Sequence, residues 1–191
     1  GIYTTASGAA ATTEVTGKNI TVSAASENNA AYGVYAYNVG GGNTVDVSGN
    51  DISVVSDGYK GYSYGVLSTN SDVDITATGN ISISSTGYGI YAWNNTGSDS
   101  NNSNVTINSA GNNTIYGYST AVMSSGVNTL SDIDSTNGTN LIVSEGTAVR
   151  AAGGAVNADA AVNNLIIANT GLWSEANGTI QLNADLNHIA A

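Results

Sequence analysis

The stretch that decides the fold opens on Gly65-Val66-Leu67-Ser68, continues through Val73-Asp74-Ile75, and ends on Gly79-Asn80-Ile81-Ser82-Ile83. It holds three short runs in which aliphatic and other residues alternate. Alternation at period two marks a strand with one buried face, and a Gly-Asn pair marks a bend. The unit recurs. Its opening cassette, small–aliphatic–bulky–small, also reads Gly1-Ile2-Tyr3-Thr4, Gly33-Val34-Tyr35-Ala36 and Gly89-Ile90-Tyr91-Ala92. Weaker copies follow at Ala121-Val122-Met123-Ser124, Ala148-Val149-Arg150-Ala151 and Gly171-Leu172-Trp173-Ser174. Self-similarity of this length, with steps of about 23 to 32 residues, marks a solenoid.

Three strands per repeat imply a triangular coil. The expected architecture is all-β, a right-handed parallel β-helix of about six to seven coils in which each strand pairs with its copy in the next. Coil spacing of about 4.8 Å gives a rod of roughly 30 Å. Residues 1–191 read as one β-helix segment with no internal domain boundary, expected to be a fragment of a longer chain. Insertions fall at two corners and the Gly-Asn corner stays short, which makes Tyr37–Asn43, Asp57–Ser63 and Asn94–Asn104 the expected protrusions. Gly and Asn at the short corner are expected to supply a left-handed backbone. Asn19, Asn50, Asn80, Asn113 and Asn140 are expected to stack as an amide ladder.

Composition narrows the function classes. Lys18, Lys60 and Arg150 are the only basic residues against fourteen acids, for a formal charge of −11. A nucleic-acid backbone or an anionic membrane surface would be repelled. The chain has no cysteine, so disulfides and thiolate metal sites are excluded. No run approaches the roughly 18 apolar residues of a membrane span, so direct membrane insertion is not expected.

The cassette and the Val-x-Val…Gly-Asn-x-Ile-x-Val pattern resemble the passenger domains of bacterial autotransporters, over essentially the whole chain. What the resemblance implies is export, display at the bacterial cell surface or release from it, and a role in adhesion, aggregation or biofilm contact. The implied partners are a host or bacterial surface protein or glycan, or a second copy of the chain. A spacer that holds a distal head away from the cell is the alternative. A polysaccharide-degrading enzyme is a further one, since many β-helices act on glycans.

Within each cassette the aliphatic residue points inward and its successor points outward. Stacking then aligns Tyr3, Tyr35, Leu67, Tyr91, Met123, Arg150 and Trp173, with Thr5, Tyr37, Thr69, Trp93 and Ser125 as a second row. Tyr and Trp combine apolar area with a polar handle. Tyr3, Tyr35, Tyr37, Tyr91, Trp93 and Trp173 are therefore the candidate binding residues, set against a purely cohesive role for the same ladder. Asp46, Asp72 and Asp74, and separately Asp132 and Asp134, share outward faces. They are read as solvated acids, with no metal and no cofactor expected. Those paired acids are the only glycosidase-like feature. The lone His188 supports no Ser/His/Asp set, and no catalytic residue is assigned.

Overall fold

The computed structural model describes residues 1–6, 12–38, 43–94, 103–175 and 178–191. The expected loop Tyr37–Asn43, with Gly40-Gly41-Gly42, and the loop Asn94–Asn104 lie largely outside the described residues. What is described is all strand and turn, wound as a parallel β-helix. The first two coils are β1 (Ile2–Ala6) with β2 (Thr12–Ala25), and β3 (Tyr32–Asn38) with β4 (Asn43–Asp57). The third and fourth are β5 (Tyr64–Thr69), β6 (Ser71–Ala77) and β7 (Ile81–Ser85), then β8 (Tyr88–Trp93), β9 (Val105–Ser109) and β10 (Asn113–Gly117). The fifth holds β11 (Thr120–Ser125), β12 (Leu130–Ser135) and β13 (Thr139–Ser144). The sixth holds β14 (Thr147–Ala152), β15 (Ala155–Ala160) and β16 (Asn163–Ile167). The last holds β17 (Thr170–Ser174), β18 (Ile180–Asn183) and β19 (Leu186–Ala190).

The cassette strands form one seven-stranded parallel sheet, in the order β1-β3-β5-β8-β11-β14-β17. A twelve-stranded sheet covers the other two faces, because β2 and β4 run straight through the Gly-Asn corner and join both. Register follows the sequence repeat. Ile2, Val34, Val66, Ile90, Val122, Val149 and Leu172 lie one above the next, as the cassettes require. Val15, Val47, Ile75, Ile107 and Ile133 make a second inward row, and Val22, Val54, Ile83, Ile115, Ile142 and Ile166 a third. All are fully buried except Ile2, Val15, Val22 and Leu172, which lie in the end coils. Burial of each aliphatic side chain is worth about 1.5–3 kcal/mol, so repetition rather than bulk builds this core.

The asparagines divide into two ladders, which corrects the single one expected. In the first three coils the inward position after the short corner is Ile20, Ile52 and Ile81; from the fourth coil on it is Asn113, Asn140, Asn164 and Asn187. Asn113, Asn140 and Asn164 are fully buried, and each donates Nδ2–H to the next Oδ1, at 2.8 Å, 2.9 Å and 2.8 Å, the last to the exposed Asn187. They also donate to main-chain oxygens across the coil, including Ile133 and Asp159 from Asn140. Asn80 and Asn112 instead lie outside, with Asp51 in the place expected for Asn50. The side-chain oxygens of Asp51, Asn80 and Asn112 accept the backbone N–H of Asn80, Asn112 and Thr139.

This outer ladder explains the corner glycines. Gly79, Gly111 and Gly138 are not among the positive-φ residues; those are Asn70, Asn128, Gly61, Gly126 and Gly153. A Cβ on Gly111 would lie 2.5 Å from Asn80 Oδ1, and one on Gly138 would lie 2.6 Å from Asn112 Oδ1. The same Cβ atoms would lie 2.8 Å from the Gly79 carbonyl oxygen and 2.6 Å from the Gly111 carbonyl oxygen, so close approach of the coil below, main chain as well as stacked side chain, and not backbone handedness, selects glycine at the short corner.

The two ladders differ in what their loss leaves behind. Asn140→Ala strands buried partners on both sides, and each orphaned group costs about 1–3 kcal/mol. Asn112→Ala strands a group that water reaches. Denaturant unfolding is expected to show the larger loss for Asn140→Ala, by about 2 kcal/mol or more; equal losses would contradict the buried ladder.

Candidate functional site

The outward positions of the seven-stranded sheet carry an aromatic cluster over the first four coils. The expected row is in register, Tyr3 on Tyr35 on Leu67 on Tyr91 on Met123 on Arg150 on Trp173. Beside it runs a row that the cassette reading missed, Tyr32 on Tyr64 on Tyr88. The recurring Tyr-Gly dipeptide ahead of each of these cassettes was its signal. Rings in the missed row lie 5.4 and 5.2 Å apart at interplanar angles of 11° and 7°. Cross-row contacts join the two: Tyr32 to Tyr35 at 5.1 Å, Tyr88 to Tyr91 at 5.1 Å, and Tyr64 to Tyr91 at 6.2 Å. Tyr3 extends the cluster at 5.0 Å from Tyr35, tilted by 59°, and Trp93 ends it at 6.2 Å from Tyr91.

Burial sorts these residues by role. Leu67 points outward yet is only 5% exposed, because Tyr35 and Tyr91 flank it. Thr69 is just as enclosed and hydrogen-bonds the Tyr35 phenol. Burial, with the neighbouring tyrosines, pushes the phenols of Tyr64 and Tyr91 up to about 12. By contrast Tyr3 is 63% exposed, Trp93 40% and Tyr32 36%. The inner rings turn their faces to one another, while the two ends and one flank of the cluster meet solvent. Tyr37 takes the second row, beside Thr5 and Thr69.

Trp173 stands apart from this group. Met123 and Arg150 separate it from Tyr91 in the row, and the Arg150 guanidinium sits 4.7 Å above its ring. Arg150 also pairs with Glu175 at 2.6 Å. Lys60 is engaged too, 3.8 Å from the Tyr118 ring centre and 3.8 Å from Glu145. That contact holds the insertion Asp57–Ser63 along the side of the coils, with main-chain bonds from Tyr59 to Asn29 and from Gly61 to Thr86. The insertion is thus a docked strap. Next to it, a groove of about 710 Å³ is lined by Tyr118, Glu145, Ile167 and Asn169 among others.

Acids occupy a different face. On the outward side of β6 and its neighbours, Asp74 is in register with Asp46, as expected; Asp46 is also in register with Glu14, and Asp134 with Asp159. The Asp72 carboxylate accepts the Asn104 backbone N–H at 2.7 Å, which gives it a structural use. Among the described residues no group of three or more His, Cys, Asp or Glu side chains is placed to hold a metal. His188 is exposed on β19, in register with Leu165. Comparison of the chain with family models, with curated proteins and with solved structures returns no match.

Burial raises the carboxyls of Asp72, Asp74, Asp132 and Asp134, and neighbouring carboxylates add to it: Asp74 on Asp72, Asp46 on Asp74, Asp159 on Asp132, and Asp132 with Asp159 on Asp134. The folded chain therefore holds protons at these positions more tightly than the unfolded chain. Their stabilising contribution is present below the ordinary aspartate range and is lost as pH rises through the raised values. Unfolding midpoints are expected to be higher near about pH 4 than near about pH 7. A midpoint that falls steadily on acidification over that range would contradict the strained acidic face.

Proposed function

We propose that this chain is a non-enzymatic β-helical segment that works at or outside the bacterial cell surface in adhesion, aggregation or biofilm contact, with the aromatic cluster as its contact surface. The observation that carries the reading is the uncharged aromatic patch of Tyr3, Tyr32, Tyr35, Tyr64, Tyr88, Tyr91 and Trp93 on one sheet. The carboxylates of Asp46, Asp74 and Asp132 stand on another face, so a partner reaching the patch meets little of the repulsion that the net charge implies. Aromatic anchors with partly exposed rings are the residue types that dominate binding energy at interfaces. The resemblance to autotransporter passengers supports the setting. Such a partner is a protein or glycan of a host or bacterial surface, or a second copy of the chain.

A stiff spacer is the second reading, favoured by the way Tyr32, Tyr64 and Tyr88 cover one another's faces. The exposed rings separate the two. Changing Tyr3, Tyr32 and Trp93 together to Ser is expected to remove most adhesion while the far-ultraviolet spectrum stays that of a β-helix. Each lost anchor weakens binding by about 2 kcal/mol, roughly thirtyfold. Unchanged adhesion by the folded variant would assign the segment to the spacer role.

A further inference from the structure

We propose that the Tyr32–Tyr64–Tyr88 row is a site of oxidative cross-linking, at which a one-electron oxidant of the peroxidase–peroxide class joins tyrosine to tyrosine between neighbouring coils. The inference is independent of any ligand of the aromatic face. It starts from register: these three residues occupy the same position in successive coils, paired Cα to Cα. Their rings lie nearly parallel, at 5.4 and 5.2 Å between centres. Main-chain pairing on both sides holds them there, so two reacting rings need no search for each other. Such positioning is worth many orders of magnitude in effective concentration.

Oxidant access is provided at the edge of the cluster. Tyr32 is 36% exposed and Tyr3 63%, and Tyr35 lies 5.0 Å from Tyr3 and 5.1 Å from Tyr32. An electron vacancy made at an exposed ring thus has a continuous series of ring contacts leading to Tyr64. In the coupling, each of two phenols gives up one electron and its hydroxyl proton to become a phenoxyl radical. The radicals join through a carbon–carbon bond between ring positions ortho to oxygen. The two displaced ring hydrogens then move to the phenol oxygens as both rings regain aromaticity. The net loss of two electrons and two protons reduces one hydrogen peroxide to two waters.

The product would tie coils that otherwise meet only through noncovalent contacts. The chain contains no cysteine, so no disulfide supplies this tie. Closing the loops Tyr32 to Tyr64 and Tyr64 to Tyr88 restricts the unfolded chain as a disulfide would.

The test treats the folded full chain with a peroxidase and limiting hydrogen peroxide, then maps linked peptides by mass spectrometry. Tyr59 and Tyr62, which are exposed and 5.5 Å apart, report that the oxidant is active. The expected result is monomeric product linked Tyr32–Tyr64 and Tyr64–Tyr88, with a raised unfolding midpoint. Tyr64→Phe keeps the ring and the packing but lacks the phenol, and should lose both links. Denaturant during oxidation should abolish the preference for these pairs. Oxidation confined to Tyr59, Tyr62 and Tyr3, links between molecules only, or links that survive in Tyr64→Phe would overturn the proposal.

Discussion

Parallel pairing of each coil on the next, in a register that keeps like residue on like, is the constraint from which the rest of this molecule follows. A one-residue slip would turn every aliphatic row outward, since strand side chains alternate at period two. Three inward rows of Val and Ile penalise that slip along the chain, joined in the first three coils by Ile20, Ile52 and Ile81. In the second half the Asn113–Asn140–Asn164–Asn187 ladder adds a penalty of another kind. Asn140 and Asn164 each accept from one coil and donate to the other, so a shifted coil would bury unmatched polar groups. Asn113 Oδ1 shows what a break in the ladder leaves: next to Ile81 it is buried without a hydrogen-bond partner. Apolar rows supply most of the cohesion, and the amides fix the register.

The same register that buries Val and Ile also delivers the outer face. Nothing on the surface needs to choose its position; an outward tyrosine repeated at one point of the coil becomes a stack. Interior rings of that stack stabilise the sheet as cross-strand pairs do. The rings at its ends and flank carry both exposed area and a polar group, which is why the contact role we propose is assigned to Tyr3, Tyr32 and Trp93 rather than to Tyr64. On that proposal, exposure alone divides cohesion from recognition among aromatic residues of one face.

Much of this was legible in the residues themselves. The cassette row was readable because its aliphatic residue recurs with small neighbours, and the strand faces followed from period two. Asp46 beside Asp74 could be placed for the same reason. The Tyr32, Tyr64 and Tyr88 row escaped because it precedes the cassette, at what read as a corner. Asparagines misled through their chemistry: an Asn accepts a backbone N–H at an exposed corner as readily as it joins a buried amide stack. In Asn112-Asn113 the two roles sit side by side in the chain. The buried fate of Leu67 and Thr69, both outward by alternation, depends on bulky neighbours one coil away. Latching of Lys60 onto Tyr118 and Glu145 spans corners far apart in sequence, and no local pattern announces it.

Because the chain lacks cysteine, paired cysteines can report the register directly. Ser53 and Ser82 are outward partners in adjacent coils, and Thr114 is the partner of Ser82 one coil further on. Neighbouring strands stand about 4.8 Å apart and a disulfide spans Cα atoms up to about 6.8 Å apart. Mild oxidation is therefore expected to close S53C with S82C in the folded monomer, and to leave S53C with T114C open at roughly twice that spacing. Closure of the distant pair, or failure of the adjacent one in folded protein, would contradict the stacked register on which the account is built.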